Sequence, residues 1–313
     1  MIGTEIEQAR DFLLQNEVVA IPTETVYGLA GNALSEIAVS KIFEAKNRPH
    51  FDPLIVHVSS ISEVSNYVKE IPELAFNLME HFWPGALTVL LPKKTSIPDL
   101  TTSGLQEVGI RIPNHPITLE LLRSLPFPLA APSANPFGYI SPTSAQHVSD
   151  QLGDKIPYIL NGGNCTVGIE STVLRVQHNQ IEILRLGGIS VESLQPFTSN
   201  IYIQQHSTSS PAAPGMLTSH YAPGKPVFVG NIRKLLHDFA SQKIGVLSFK
   251  EDYQIEAQRI LSKTGNFTEA AAKLFAFLRE LDQLDIDVIL TEFLPNESLG
   301  RAINDKLKRA SAK

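Results

Sequence analysis

The chain has 313 residues, which is long for one domain and comfortable for two. Hydrophobic residues make up 43% and charged residues 19%, a balance typical of globular proteins with substantial cores. The net charge of −6 excludes a global basic field that would attract nucleic acid or membrane, but it leaves room for a local basic pocket. The single cysteine, Cys165, excludes an intrachain disulfide and a multi-cysteine zinc site, and it fits a reducing cytosol.

The N-terminal segment is acidic and has no apolar core flanked by positive charge, so it does not resemble a signal peptide. The sequence has no run of 18 apolar residues that would predict a membrane span. We therefore expect a soluble, cytoplasmic protein without membrane partners.

The first half of the chain alternates between strand and helix patterns. A T-x-x-E capping box at Thr4 and Glu7 predicts the first helix, and Ser35 is expected to cap a second helix that ends near Lys46. Further helices are predicted over 73–82, 117–123 and 144–151. The strands are predicted on the apolar runs "EVVAI", "LIVHV", "ALTVLL", "VGIRI" and "FPLAA", and on "STVLRVQ" and "IEILRL", which flank a short turn. This alternation predicts a twisted α/β sheet of mixed direction.

A change of composition near residue 198 predicts two domains. The segment 198–225 is rich in Ser, Thr, Pro, Gly and Ala and is interpreted as a linker between a domain at 1–197 and another at 226–313. The second domain has strand patterns at "PVFVG", "KIGVLSF" and "DVILTEF", and helices are predicted over 268–284 and 298–310. This spacing predicts a smaller Rossmann-like α/β domain, and the absence of G-x-G-x-x-G argues against a dinucleotide there.

Polar loops follow several of the predicted strands, where open α/β sheets place their ligands. Such loops offer hydroxyl and backbone N–H groups to phosphate or carboxylate oxygens, although helix capping and tight turns are alternative interpretations. The small polar residues in these loops are Thr23, Thr25, Ser133, Asn135, Ser141, Thr143, Ser171 and Thr172.

Four cations and a histidine are candidates for anion binding. Lys46 and Arg48 end a helix, where cations often only favour the helix dipole. Arg111 and Arg185 lie within apolar strands, and each needs either an internal carboxylate or a bound anion as its partner. His57 closes an apolar strand, where a histidine is more often a core residue than a ligand.

Sequence motifs for nucleophilic catalysis and for metal binding are absent. There is no Walker loop, G-x-S-x-G elbow, H-E-x-x-H or C-x-x-C, and nothing near Cys165 in the sequence suggests a base to activate it. We therefore predict no catalytic side chain in the strict sense and no metal held by protein side chains.

The ordered set of motifs resembles the threonylcarbamoyl-AMP synthase family, in its two-domain form with a YrdC-like catalytic domain. The matching segments are "PTETVYGL", "KNRP…PLIVH", "FWPGALTVLL", "VGIRIP", "PLAAPSAN…SPT", "GIESTV", "ILRLGG", "PGMLTSHYAPGKP" and "GRAINDKLKRA". They cover nearly the whole chain. Each motif is weak alone, but the set in this order is specific.

The resemblance implies a nucleotidyltransferase that makes L-threonylcarbamoyl-AMP and pyrophosphate from L-threonine, bicarbonate and ATP with Mg²⁺. Partner transferase proteins would use the product to form threonylcarbamoyladenosine in tRNA, with weak or indirect tRNA binding by this chain. The residues implied for L-threonine are Thr25, His57, Arg111, Ala131 and Ser171. Those implied for ATP are Lys46, Arg48, Asp52, Ser133, Asn135, Ser141, Arg185, His220 and Tyr221.

The chemistry explains why the implied site is rich in cations. Triphosphate, bicarbonate and the threonine carboxylate are all anions, and no covalent enzyme intermediate is required, so positioning and charge stabilisation would carry catalysis. Asp52 stands where the family often has asparagine, and Asn47 where it often has glycine. An aspartate facing phosphates would repel them unless it meets a base or a metal.

Three alternative functions remain at this stage. A carbamoyl-adenylate enzyme of hydrogenase maturation shares the catalytic fold but carries cysteine-rich zinc modules, which one cysteine cannot build. An RNA-binding module without ATP turnover is the alternative from another class, and the acidic net charge argues against it. The C-terminal domain could also serve purely as an interaction surface.

Overall fold

The computed structural model describes residues 1–49, 51–204 and 221–312. The helices are α1 (Ile6–Leu14), α2 (Glu36–Lys46), α3 (Ile61–Val64), α4 (Glu73–Phe82), α5 (Asp99–Thr102), α6 (Pro116–Arg123), α7 (Ala145–Leu152), α8 (Val191–Leu194), α9 (Ile232–Asp238), α10 (Phe267–Gln283) and α11 (Gly300–Ala310). The strands are β1 (Ile2–Gly3), β2 (Val19–Ile21), β3 (Gly28–Asn32), β4 (Ile55–His57), β5 (Leu87–Pro92), β6 (Glu107–Arg111), β7 (Leu129–Ala130), β8 (Tyr158–Leu160), β9 (Thr172–Gln177), β10 (Gln180–Arg185), β11 (Ile201–Ile203), β12 (Val227–Val229), β13 (Ile244–Ser248), β14 (Gln258–Ile260) and β15 (Val288–Thr291).

The first domain is built on a mixed sheet of eleven strands in the order β1-β8-β2-β3-β7-β4-β6-β5-β9-β10-β11. Parallel pairs such as β4 with β6 alternate with antiparallel pairs such as β9 with β10. Most of its central strands are buried along their length, as their continuous apolar runs require, and helices cover the sheet. The predicted mixed-direction α/β sheet is confirmed.

The second sheet has four parallel strands in the order β12-β15-β13-β14. Helix α10 packs against it through Ala271, Leu274, Phe275 and Leu278, all of which are fully buried. These residues recur every three or four positions, so they form one face of the helix. The smaller Rossmann-like α/β domain predicted for the C-terminal part is therefore present.

Several local predictions differ from the structure. The helix α1 begins at Ile6 after an N-cap at Glu5, and Thr4 donates to the Glu5 carboxylate instead of capping the helix. The strand β3 lies inside the polar segment that follows β2, and pairs with β2 in antiparallel fashion. The strand β11 lies inside the segment predicted as a linker and pairs in parallel with β10. The three residues of β11 are too few for alternation to be recognised, and the two glycines of β3 are residues that strands disfavour.

The two domains share a hydrophobic core. Val26, Ile140 and Ile169 from the first domain are buried among residues of α10, α11 and the second sheet. The Arg279 guanidinium of α10 reaches back to donate to the backbone carbonyls of Ile140 and Ser141. The C-terminal domain therefore supports the loop that contains Ser141. None of the helices in the described ranges is long and apolar enough to cross a membrane.

Candidate active site

One cavity brings together most of the residues singled out from the sequence. Of the residues implied for L-threonine and ATP, those that line it are Thr25, Arg48, His57, Arg111, Ala131, Ser133, Ser171, Arg185 and Tyr221. Its wall also contains Thr23, Val26 and Glu170. The residues come from segments that are far apart in sequence, so only the tertiary fold places them at one site.

The sheet sets the positions of His57 and Arg111. They are the last residues of the parallel neighbours β4 and β6, and they lie directly beside each other in register. Burial, together with the adjacent Arg111 guanidinium, lowers the pKa of His57 to about 3. The imidazole is therefore neutral at physiological pH and adds no positive charge to this part of the cavity.

Arg111 has an internal carboxylate as its partner. Its Nη2 atom lies 2.7 Å from Oε1 of Glu24, and its Nε donates to the carbonyl of Gly85 at 3.0 Å. The other Glu24 oxygen accepts from the backbone N–H of Asn114 at 3.0 Å. Glu24 was not singled out from the sequence, although it lies between Thr23 and Thr25 in a motif that follows a buried strand. A buried carboxylate of this kind was the counterpart that Arg111 required.

Hydroxyl groups are connected in pairs around the cavity. The Thr23 and Thr25 hydroxyls lie 2.8 Å apart, and the Ser171 hydroxyl lies 2.8 Å from that of Thr88. Arg185 donates from Nε and Nη2 to the Ser171 carbonyl at 3.1 and 2.9 Å, and from Nη2 to the Ser171 hydroxyl at 3.0 Å. Arg185 therefore fixes the position of Ser171, the residue directly before β9.

Lys46 and Arg48 have different positions although they are two residues apart. The Lys46 ammonium is buried and donates to the carbonyls of Ser133 and Asn135, each at 2.5 Å, and burial holds its pKa well below the ordinary value. Lys46 does not line the cavity. Its hydrogen bonds hold in place the loop that contains Ser133, which does line the cavity. Arg48 lines the cavity and pairs with Asp52 at 2.9 Å. Asp52 thus lies behind the wall and meets a base, which removes the expected repulsion of phosphates.

Two further residues implied for ATP also act from behind the wall. The Ser141 hydroxyl donates to Oε1 of Glu170 at 2.5 Å, and Glu170 itself lines the cavity. The Asn135 side-chain amide donates to the carbonyls of Pro136 and Tyr139, both at 2.9 Å, and so shapes its own loop. Glu170 was present in a glycine-rich motif but was not assigned a role from the sequence.

Tyr221 closes one side of the cavity from the start of the C-terminal part. Its buried ring stacks on Phe275 with centroids 5.3 Å apart, and Lys306 and Arg309 of α11 lie over it at 5.3 and 4.7 Å. Burial raises the pKa of its phenol. His220, the other residue implied for this position, lies outside the described residues.

The fold and the site define a two-domain α/β protein with a cavity that is lined by guanidinium, imidazole and hydroxyl groups, as an enzyme acting on small anions requires. A family model described as "Telomere recombination" matches residues 11–187, and one described as "Threonylcarbamoyl-AMP synthase, C-terminal domain" matches residues 182–312. The chain belongs to the two-domain threonylcarbamoyl-AMP synthase family, which confirms the resemblance inferred from its motifs.

Individual relatives match along almost the whole chain. The threonylcarbamoyl-AMP synthase of Bacillus subtilis (strain 168) is 39% identical over 321 residues, covering 98% of this chain and 93% of the relative. That of Pyrococcus abyssi is 39% identical over 322 residues, covering 98% and 94%. The crystal structure of P. abyssi Sua5 complexed with L-threonine superimposes with a TM-score of 0.94 at 38% identity, covering 99% of this chain and 97% of that one.

Proposed function

We propose that this enzyme condenses L-threonine, bicarbonate and ATP into L-threonylcarbamoyl-AMP with release of pyrophosphate, and that partner transferases use the product to modify tRNA. The carrying observation is that one cavity places His57 and Arg111 beside each other and adds the guanidinium groups of Arg48 and Arg185. Such a cavity can hold an amino acid carboxylate and a polyphosphate at the same time. The solved relative named as a complex with L-threonine supports the same assignment.

The threonine half of the proposed site is formed by Thr25, His57, Arg111, the Ala131 backbone and Ser171. Arg111 would bind the threonine carboxylate, while its ion pair with Glu24 keeps the local charge balanced. Because the His57 imidazole is neutral, it would not repel the ammonium of the incoming amino acid. An uncharged ring beside a guanidinium therefore suits a zwitterion better than a second cation would.

The ATP half is formed by Arg48, Ser133, Arg185 and Tyr221, which line the cavity. Guanidinium groups bind phosphate oxygens in a bidentate manner and would compensate the charge that develops on the leaving pyrophosphate. Lys46 and Asp52 would contribute by holding Ser133 and Arg48 in place, which their contacts with these residues support. Asn135 and Ser141 would contribute through their hydrogen bonds to the Tyr139 carbonyl and to Glu170. His220 is kept as a proposed nucleotide contact.

Mg²⁺ is proposed to enter with ATP. Within the described residues, no group of three or more His, Cys, Asp and Glu side chains is arranged to hold a metal ion. We propose that phosphate oxygens and water coordinate it, which suits a hard cation that dehydrates reluctantly. When bound, it would neutralise part of the triphosphate charge.

The proposed reaction has two bond-forming steps. The threonine amine attacks the carbon of bicarbonate, and loss of water gives the N-carboxy compound. An oxygen of that carbamate then attacks the α-phosphorus of ATP, and the bond to the leaving pyrophosphate breaks. The protein holds the three reactants in one cavity and compensates their charges, so no covalent enzyme intermediate is needed.

The test is pyrophosphate release from ATP and Mg²⁺ with threonine and bicarbonate omitted in turn. Release that requires both, together with a product of the mass of threonylcarbamoyl-AMP, is the expected result. Release that is indifferent to threonine would overturn the assignment in favour of another acyl-adenylate chemistry. A lack of release, with salt-dependent tRNA binding, would instead identify an RNA-binding module of this fold.

A further inference from the structure

A lysine of the C-terminal domain touches the wall of the cavity from outside. Lys306 lies on α11, and its side chain is fully buried. Its ammonium donates to the carbonyl of Leu186 at 2.6 Å and lies 3.9 Å from Oε2 of Glu170. It also lies 5.3 Å from the centre of the Tyr221 ring. One ammonium group therefore contacts three separate segments of the cavity wall.

Two of these segments carry Arg185 and Tyr221 of the proposed nucleotide half, and the third carries Glu170, which lies next to Ser171 of the proposed threonine half. Leu186 follows Arg185 directly, so the hydrogen bond to its carbonyl fixes the backbone beside that guanidinium. Glu170 receives the Ser141 hydroxyl on its other oxygen and is followed by Ser171, to which Arg185 donates. Tyr221 lines the cavity between these segments and α11. The contacts of Lys306 thus converge on the wall around Arg185.

The charges explain why a lysine is needed at this position. Oε2 of Glu170 is buried and makes no hydrogen bond within the described part of the chain, so its negative charge depends on a nearby cation. Lys306 is within ion-pair distance at 3.9 Å, and it also lies 3.5 Å from the carboxylate of Asp305 on the same helix. Burial lowers the pKa of Lys306, while Asp305 and Glu170 raise it. A neutral side chain here would remove the cation that lies within ion-pair distance of the Glu170 carboxylate.

We propose that Lys306 is a positioning residue for ATP binding, through which the C-terminal domain sets the geometry of Glu170, Arg185 and Tyr221. This inference rests on the proposed function and adds a role for a residue outside the catalytic domain. Lys306 does not line the cavity itself, so it acts through the wall residues. The contacts of Lys306 described above include none of the residues proposed for threonine, and Ser171 is reached only through its neighbour Glu170.

The experiment compares Lys306→Met and Lys306→Arg with the control Arg301→Met. Arg301 lies on the same helix and pairs across the domain interface with Glu192, but neither residue lines the cavity. For each variant, KM for ATP, KM for threonine and kcat are measured by pyrophosphate release. Threonine binding without ATP is measured by calorimetry, and denaturant unfolding gives the stability.

The expected result for Lys306→Met is a KM for ATP raised about tenfold or more, with threonine binding within about twofold of wild type. Lys306→Arg, which keeps the charge, should recover part of the ATP affinity, and Arg301→Met should behave as wild type in both constants. If Lys306→Met changes ATP and threonine constants equally, or matches Arg301→Met, the positioning role is overturned.

If the Lys306→Met protein does not fold, a second pair of variants tests the same role. Glu170→Gln keeps a group that can accept from Ser141 but removes the charge that Lys306 balances. We expect the double variant Glu170→Gln/Lys306→Met to fold and to show the KM for ATP of Glu170→Gln alone, because the two residues act together. Fully additive effects in the double variant would contradict the inference. Loss of threonine-dependent release in the wild type would instead refute the proposed function, so the two failures are distinguishable.

Discussion

The Arg111 guanidinium and the Glu24 carboxylate lie 2.7 Å apart, with side chains only 5% and 7% exposed. Arg48 and Asp52 form a second buried pair in the same region. Internal carboxylates therefore hold the Arg48 and Arg111 guanidinium groups of the cavity in place. Such an arrangement avoids the cost of burying an unpaired cation when the site is empty.

Replacing Glu24 by glutamine should lower the free energy of unfolding by about 3 kcal/mol, because Arg111 would lose its buried counter-charge. Denaturant unfolding of the ligand-free protein measures the change. The matched control is Glu107→Gln, which removes a carboxylate from the partly exposed pair with Arg175. That control should cost no more than about 1 kcal/mol. Equal losses in the two variants would contradict the importance of the buried pair.

Replacing Asp52 by asparagine tests whether this carboxylate faces phosphate or arginine. Because Asp52 pairs with Arg48 behind the wall, we expect the stability to fall by about 2 kcal/mol and KM for ATP not to fall. The control is Asp99→Asn, whose carboxylate pairs with Lys93 but is 81% exposed, and it should change neither quantity appreciably. A clearly lower KM for ATP in Asp52→Asn would show that the aspartate repels the nucleotide.

Because the buried imidazole of His57 has a lowered pKa, we expect the protein to lose stability at acidic pH. Its pKa is about 3 in the folded protein and 6.5 in the unfolded chain, so the unfolded chain binds the extra proton between these values. Stability is therefore complete above pH 6.5 and falls as the pH is lowered towards 3. For one such group the loss between pH 7 and pH 5 is about 2 kcal/mol.

Unfolding free energies at pH 7 and pH 5 for wild type and His57→Asn measure this contribution. The variant should show a smaller difference between the two pH values by about 2 kcal/mol. His237→Asn serves as the control, because its ring is 91% exposed and it should keep the wild-type difference. If His57→Asn keeps that difference as well, the buried neutral imidazole is not its source.

The close packing of Gly168 against α10 predicts that no side-chain atom can be added at this position without moving the two domains apart. It has a φ of +75°, and an added Cβ would lie 2.5 Å from the backbone of Ala272 on α10. The control is Gly163→Ala, because Gly163 has a φ of +85° but nothing within 4 Å of an added Cβ. Gly163→Ala should cost about 1–2 kcal/mol from backbone strain alone. Gly168→Ala should cost about 1–3 kcal/mol more because it forces α10 away from the first domain. Equal costs, measured by denaturant unfolding, would exclude a tight interface here.

The sequence predicted best those features that depend on local patterns. Ser35 caps α2, as its position before the apolar face indicated, and the runs that became β9 and β10 form the expected antiparallel pair. The residues at strand ends, such as His57 and Arg111, reach one cavity because neighbouring parallel strands end at the same edge. The helix and strand predictions needed only periodicity, whereas the assignment of His57 and Arg111 to one site came from the family resemblance.

The features that the sequence did not reveal depend on contacts between distant segments. Lys46 appeared to be a candidate anion ligand, but carbonyl groups of the loop after β7 satisfy its ammonium. Lys306 and Arg309 lie at the basic end of the predicted last helix, and nothing in that pattern indicated that they are buried against Tyr221. Glu24 gained a role only when the fold brought Arg111 next to it. A pairing partner of a buried charge cannot be chosen from one sequence when several carboxylates are available.

The lone thiol has a practical consequence. Cys165 is buried in the core of the first domain, its backbone N–H donates to the carbonyl of Thr143, and burial together with Glu24 raises its pKa to about 12. Alkylating reagents react with thiolates, so the folded enzyme should resist them at neutral pH. Because the chain contains no second cysteine, the rate of alkylation reports on one place only. The alkylation rate of Cys165 therefore measures how often the structure around this residue opens, and no engineered probe is needed.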